Sequence, residues 1–363
     1  MIELYERERN IAELVVQKAA LITKKVLQYV DKGELKKGDK TSVSLADFAC
    51  QALIVAAITN TFPEDGIIGE EDASELRTDS NMVNRVWELV SSTHLEDAES
   101  EELLQAPRSV DEMLRYIDLG GATSSTSLKR VWTIDPVDGT HGFLNGGQHV
   151  VCVSLLVDGL EKVAVFGCPV LSLEGERIEE NDVNHGEAGY LLSSIKGKGV
   201  RIRPLTNGPL APSRDVLPPK KVEDRGKIRF CDNIDSTKIQ YPHRDKIAEK
   251  IGAHWKVHHL YSTQLRYIAL TLDFTDVILR LPKPEYSQPH LWDHAGGAMM
   301  FEEVGGKVTD VNGRPLDFTA GRDLDNNFGL VAAPASIHAQ LLEVIQSALL
   351  LHPEYATAIT KPM

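Results

Sequence analysis

Apolar side chains recur at helical spacing from Leu4 to Val30, with Ile11, Leu14, Val15, Ile22, Val26 and Leu27 between them, which predicts an amphipathic helix over residues 3–30. A second helix starts at Ser44, carries Phe48, Ala49, Ala52, Leu53 and Ala56 on one face, and stops at Pro63. The short apolar run Ile67-Ile68-Gly69 then leads into Glu70-Glu71. Residues 75–128 are polar and acidic with weak helical patches, the mark of an elaborated insertion. Beyond them strands dominate: Val131–Ile134, Val150–Val157, Val163–Val170 and Tyr190–Leu192, separated by turns such as Asp158-Gly159, predict an antiparallel meander. A Pro- and Gly-rich loop from Pro204 to Pro219 divides the chain into an N-terminal half, 1–205, and a C-terminal half, 220–363. In the second half elements alternate. Strands are expected near Ile228, near Val257, from Val277 to Leu281 and at Leu330; helices near Ile247, from Thr263 to Leu272, after Trp292 and from His338 to Leu350; and a hairpin at Asn312-Gly313. The pattern is that of an α/β or α+β body with mixed sheets in two layered halves.

Composition narrows the function classes. A hydrophobic content of 42% and a charged content of 25% are those of an ordinary globular protein. The net charge of −14 argues against a surface that coats nucleic acid, yet it permits a small anion held through metal ions. Thirteen acids and two bases lie between Glu64 and Glu102, so −11 of that charge sits in one stretch, most of it solvated surface. Four scattered cysteines without a paired spacing read as small buried side chains in a reducing compartment. The charged N-terminus lacks a signal-peptide core, and no apolar run approaches the roughly 20 residues needed to span a bilayer. A cytoplasmic protein without a membrane partner is expected.

The segment Trp132-Thr133-Ile134-Asp135-Pro136-Val137-Asp138-Gly139-Thr140 carries the most chemistry. A strand delivers Asp135 to its end, Pro136 stiffens the exit, Gly139 permits a tight turn, and Thr140 stands where a helix can begin. Two carboxylates three residues apart across such a turn can meet at one point, where their repulsion calls for a hard, oxygen-seeking cation such as Mg²⁺. An Asx-type turn without a metal is the plainer alternative. Two further acidic elements bear on the choice. Glu70 follows an apolar run and can reach the same sheet end, or it can belong to the acidic surface. Asp293, in Leu291-Trp292-Asp293-His294-Ala295-Gly296-Gly297, can cap a helix or donate another oxygen. Asp47 fits a capping box with Ser44.

Taken together, the Asp135–Thr140 segment, the upstream Gly69-Glu70-Glu71 and the downstream Trp292-Asp293-His294-Ala295 resemble the lithium-sensitive, Mg²⁺-dependent phosphomonoesterases of the inositol monophosphatase superfamily. Val43-Ser44-Leu45-Ala46-Asp47, the insertion, and Val277-Ile278-Leu279-Arg280-Leu281-Pro282 are most similar to its 3'(2'),5'-bisphosphate nucleotidases. The resemblance implies an α+β fold, a layered α/β/α/β/α sandwich with mixed sheets. It implies two or three Mg²⁺ ions on Glu70, Asp135, Asp138, Asp293 and the Val137 carbonyl. Asp47 and Thr140 would orient and deprotonate the attacking water. The N–H groups of Gly139 and Thr140 would hold phosphate oxygens, and Thr263, Arg266 and Arg280 would hold the nucleotide. The implied partner is a small phosphorylated substrate, adenosine 3',5'-bisphosphate foremost and 3'-phosphoadenylyl sulfate beside it, and a monomer is expected. A place in sulfur assimilation goes with such a substrate.

The chain departs from that pattern where the nucleotidases carry a histidine facing the adenosine: here it reads Gln240-Tyr241-Pro242-His243. Gly296 replaces a second alanine. Alternatives at this stage are an inositol-phosphate or sugar-phosphate phosphatase, and an inactive metal- or nucleotide-binding regulator on the same scaffold. An aspartyl-nucleophile phosphatase is excluded because Asp135 and Asp138 stand one residue too far apart. His254 and His258, sharing a strand face beside His259, lack a further zinc ligand. Lys196, Lys198, Arg201 and Arg203 form a solvated loop or rim an anionic pocket.

Overall fold

The computed structural model describes residues 4–36, 42–122, 129–175, 177–181, 183, 189–233, 244–281 and 289–350. Helix α1 (Glu6–Leu27) is followed by a short antiparallel pair, β1 (Leu35–Lys36) and β2 (Ser42–Val43), and by α2 (Leu45–Thr61). Strand β3 (Gly66–Gly69) precedes the insertion, which folds as α3 (Ser80–Ser92), α4 (Ala98–Leu104) and α5 (Val110–Ala122). Then come β4 (Arg130–Asp138), α6 (Thr140–Leu144), β5 (Val150–Val157), β6 (Leu160–Cys168), β7 (Tyr190–Ile195), β8 (Val200–Pro204) and β9 (Arg214–Asp215). These strands make one sheet in the order β3-β4-β5-β6-β7-β8-β9. β3 runs parallel to β4, and the remainder is the antiparallel meander that the turn spacing predicts.

The rest of the chain supplies β10 (Phe230–Asp232), α7 (Arg244–Lys250), β11 (Val257–His259), α8 (Thr263–Thr271), β12 (Val277–Arg280), α9 (Ala295–Glu303), β13 (Gly306–Thr309), β14 (Leu330–Pro334) and α10 (Ala335–Leu349). Its mixed sheet is ordered β11-β10-β12-β14-β13.

Side-chain alternation stacks these pieces into five layers, because successive strand residues point to opposite faces. Val151, Val153 and Val165 pack with α1 and α2 on one face of the large sheet, while Cys152, Ala164 and Phe166 point the other way, toward α8 and α9. The small sheet repeats the scheme. Ile278 and Ala332 join α8 and α9 in the middle layer, and Val277, Leu279 and Val331 pack on α7 and α10 outside. The layered α/β/α/β/α sandwich is therefore present.

The insertion is more than solvated surface. Met82, Val86, Leu89, Met113 and Ile117 are buried against α2, which explains why α2 is apolar nearly all round. The expected hairpin also differs. β13 and β14 do pair antiparallel, but residues 310–329 connect them, and Asn312-Gly313 is a local turn in which Gly313 N–H donates to the Asp310 carbonyl at 3.0 Å. His254 precedes β11 rather than lying in it, so it shares no strand face with His258. Lys196, Lys198, Arg201 and Arg203 pair with Glu302, Glu6, Asp215 and Glu13, and the two arginines lie in β8 rather than in a loop. Among the described residues no helix is long and apolar enough to cross a membrane.

Candidate active site

The convergence of Asp135 and Asp138 comes from a bulge in β4. In a regular strand, residues three apart face opposite sides. Here Asp135 pairs with Cys152 and Asp138 with Val150, so three steps on β4 match two on β5. The extra residue returns both carboxylates to the face that Val150 and Cys152 line, and sends Val137 back into the core beneath α1 and α2. Pro136, which has no N–H to contribute to a ladder, lies in the irregular stretch where none is required. The turn read from the sequence is thus a continuation of the strand with one residue inserted.

Asp293 comes from across the molecule, in the single turn before α9. His294, not Asp293, occupies the N-cap of α9 and makes no side-chain cap, so the capping alternative for Asp293 falls away. Oxygens of Asp135, Asp138 and Asp293 lie within 4.8 Å of one another. Glu70, at the end of β3, donates its main-chain N–H to the Ile134 carbonyl at 3.1 Å, and its carboxyl hydrogen-bonds Asp135. Four carboxyl groups therefore meet at the ends of β3 and β4.

Such a cluster is electrostatically expensive without a cation. Burial, then the charges of Glu70, Asp138 and Asp293, push the Asp135 carboxyl well above the usual range. Burial first and Asp293 second raise Asp138 to about 7, although the Ser262 hydroxyl, the Gln264 N–H and Arg266 pull the other way. Asp293 is raised by burial as well. An all-oxygen, carboxylate-rich donor set fits a hard divalent cation such as Mg²⁺ and does not fit zinc, which favours nitrogen and sulfur. Among the described residues it is the sole group of this kind.

Asp138 also rests on the start of α8. Its carboxylate accepts from the Ser262 hydroxyl at 2.6 Å and from the N–H groups of Gln264 at 2.5 Å and Thr263 at 3.2 Å. These orphan helix donors favour the ionised form. Ser262 is the N-cap of α8 and also bonds Asp138, a role that no local spacing signals because the two lie 124 residues apart.

On the other side of the cluster, Asp47 divides its two oxygens between two tasks. Oδ2 accepts from the Ser44 N–H at 2.8 Å and from the Ser44 hydroxyl at 2.6 Å, the expected capping box. Oδ1 accepts from Thr140 Oγ1 at 3.4 Å, whose hydroxyl lies 3.0 Å from the Val137 carbonyl. Capping and proton transfer are therefore compatible on one side chain. Gly139, with φ of 92°, is the N-cap of α6 and sets Thr140 at the head of that short helix.

The structure brings the nucleotide-contact candidates to the same side of the sandwich. Arg266 is buried and donates to the Thr263 hydroxyl at 2.8 Å. It also lies 3.7 Å from Asp232, a buried acid at the end of β10 that pairs with Arg244 at 2.6 Å. Asp232 was not predicted from the sequence, where a lone acid after an apolar run looks like any strand end. Arg280 stands 3.5 Å from His294, whose other ring nitrogen meets the Tyr267 hydroxyl at 3.0 Å. Gln240, Tyr241, Pro242 and His243 lie outside the described residues, as does Pro282.

Comparison with known proteins adds the decisive observation: the inositol monophosphatase family matches residues 4–350. This chain belongs to that family. It is 40% identical over 353 residues to the 3'(2'),5'-bisphosphate nucleotidase of Emericella nidulans, covering 96% of this chain and 99% of that one. To the 3'(2'),5'-bisphosphate nucleotidase of Schizosaccharomyces pombe it is 33% identical over 344 residues, covering 93% and 95%. Among solved structures, the Thermotoga maritima IMPase superposes with a TM-score of 0.58 at 17% identity, covering 95% of this chain and 98% of that one. Inositol monophosphatase-II from Staphylococcus aureus gives 0.58 at 17% identity, with 97% and 98% covered. These two establish the shared inositol monophosphatase fold.

Proposed function

We propose that this member of the family is a Mg²⁺-dependent phosphomonoesterase that removes the 3'-phosphate from adenosine 3',5'-bisphosphate and accepts 3'-phosphoadenylyl sulfate. The observation that carries this reading is the meeting of Asp135, Asp138 and Asp293 within 4.8 Å, beside the Asp47–Thr140 hydrogen bond. The names of the Emericella and Schizosaccharomyces relatives support the substrate class.

In this reading Glu70, Asp135, Asp138, Asp293 and the Val137 carbonyl hold two or three ions. Bound Mg²⁺ supplies the positive charge that lets a carboxylate pocket accept a phosphate dianion, and it acidifies water. Thr140, pinned by Asp47, orients the attacking water, and Asp47 takes up the proton through the Thr140 hydroxyl. The N–H groups of Gly139 and Thr140 hold phosphate oxygens. Thr263, Arg266 and Arg280 hold the remainder of the nucleotide, with the charge on Arg266 steadied by Asp232. This reading assigns no side chain as a nucleophile, so direct displacement by water is the step these residues serve.

The test is phosphate release from adenosine 3',5'-bisphosphate, 3'-phosphoadenylyl sulfate and inositol 1-phosphate, each with Mg²⁺ and with chelator. Mg²⁺-dependent release that favours the adenosine compounds is expected. Preference for inositol 1-phosphate would move the chain to the inositol-phosphate branch, and no release alongside retained Mg²⁺ uptake would make it a binding protein.

A further inference from the structure

One residue late in the chain touches both of the segments that carry Glu70 and Asp293. Through its backbone, Arg322 grips the Asp293 segment. Its carbonyl accepts from the Leu291 N–H at 2.9 Å, and two residues on the Leu324 N–H donates to the Pro289 carbonyl at 2.9 Å. Its guanidinium carbon lies 4.6 Å from the centroid of the Trp292 ring, immediately before Asp293. The side chain then crosses to the other segment. Nη2 donates to the Gly69 carbonyl at 2.6 Å, next to Glu70, and Nη1 donates to the Gly120 carbonyl at 3.0 Å, at the end of α5.

Gln51 holds the same corner from below. One turn beyond Asp47 on α2, its amide donates to the carbonyls of Glu71 at 2.6 Å and Ile117 at 2.7 Å and accepts from the Glu71 N–H at 2.9 Å. The backbone on either side of Glu70 is thus fixed, by Arg322 before it and Gln51 after it. A Cβ on Gly69 would stand 2.7 Å from the Gln51 amide oxygen, so the fit has no slack.

We propose that Arg322 is a positioning residue for the metal site, its planar fork setting Glu70 at a fixed distance from Asp293. This rests on the reading above, in which those carboxylates hold Mg²⁺. The fork matters because two carbonyls must be satisfied at once in set directions, which a lysine ammonium on its flexible stem does not do. The charge alone would act in the opposite sense. A guanidinium facing Glu70, Glu71 and Asp72 repels an incoming cation, so its removal should tighten Mg²⁺ binding if charge were all that counted. Removal of a clamp should loosen it. Outer residues that orient metal ligands are worth about 10- to 100-fold in affinity.

The experiment is a Mn²⁺ titration followed by electron paramagnetic resonance on wild type, Arg322→Gln, Arg322→Lys and Asp138→Asn, with melting temperatures in chelator for each. Mn²⁺ uptake about 10- to 100-fold weaker in both arginine variants is expected. Turnover in those variants should recover toward wild type at saturating Mg²⁺, while the Mg²⁺ concentration for half-maximal turnover rises. Uptake as tight as or tighter than wild type in either variant overturns the assignment, as does a loss that merely tracks unfolding at the assay temperature. Wild type and Asp138→Asn taking up Mn²⁺ alike would instead sink the metal reading itself, and the clamp with it.

Discussion

Thr140 has one hydroxyl proton and two acceptors within reach, the Val137 carbonyl at 3.0 Å and Asp47 Oδ1 at 3.4 Å. The shorter contact points the proton at the carbonyl, so the link to Asp47 tightens only if the Val137 oxygen is taken up by another partner, which is what a cation at the cluster would do. Replacement of Thr140 with valine keeps the shape and removes the relay, and a loss of roughly 100-fold or more in turnover is expected, whereas serine should retain most of it. Steady-state rates on the bisphosphate at saturating Mg²⁺ check this. A valine variant within a few-fold of wild type would remove Thr140 from the proton path. Asp47 illustrates how far a sequence can be read at this scale. Its capping box with Ser44 is a local pattern, legible from three residues' spacing. Its partnership with Thr140 spans 93 residues and became an expectation only through family resemblance.

At the scale of elements, the bulge in β4 and the start of α6 decide the geometry. Gly139 has φ of 92°, and a Cβ there would stand 2.9 Å from Ser262 Cβ. Gly139→Ala should therefore cost about 1–3 kcal/mol in stability from backbone strain, and displace Ser262 from Asp138 at the same time. Thermal unfolding and turnover should both fall; an alanine variant with wild-type values would mean that the turn is free to relax. The strands and helices themselves are largely legible, because β5 and β6, buried on both faces over most of their length, read as apolar runs between turns, and the apolar positions of α1 recur at helical spacing. The bulge is not, since one inserted residue leaves no mark on composition and reveals itself only in the register with β5. The docking of the insertion is harder to read for a related reason, although its acids are mostly exposed as expected. Its acids dominate any count of charge, while the few apolar residues that dock it on α2, such as Met113 and Ile117, are spread too thinly to stand out. Asp232, Ser262 and Arg322 leave no local signal because each acts on a partner distant in sequence.

For the whole molecule, the carboxyl cluster makes stability depend jointly on pH and on the cation. Asp135, Asp138 and Asp293 all have folded-state values raised above those of the unfolded chain, with Asp138 at about 7. A group raised by folding binds its proton more tightly in the native state. Its favourable contribution is complete below the unfolded value near 4 and is lost as pH rises through the folded value. The cluster's contribution to the stability of metal-free protein should consequently fall between about pH 4 and pH 7 or somewhat above, against an opposite slope from His149 and His338, whose burial holds their imidazoles below the usual range with or without metal. A divalent cation neutralises the same charges without a proton and binds the native state alone, so the gain on adding Mg²⁺ should be small near pH 5 and large near pH 8. Glu161, also raised to about 7 by burial, contributes a similar slope with or without metal, so the difference between Mg²⁺ and chelator at each pH isolates the cluster. Melting temperatures from pH 4.5 to 8.5 in both conditions measure it. A difference that stays constant across that range would mean that Asp135, Asp138 and Asp293 do not share their charge in the way their geometry requires, and Asp138→Asn, which removes one of them, should weaken the pH dependence of that difference.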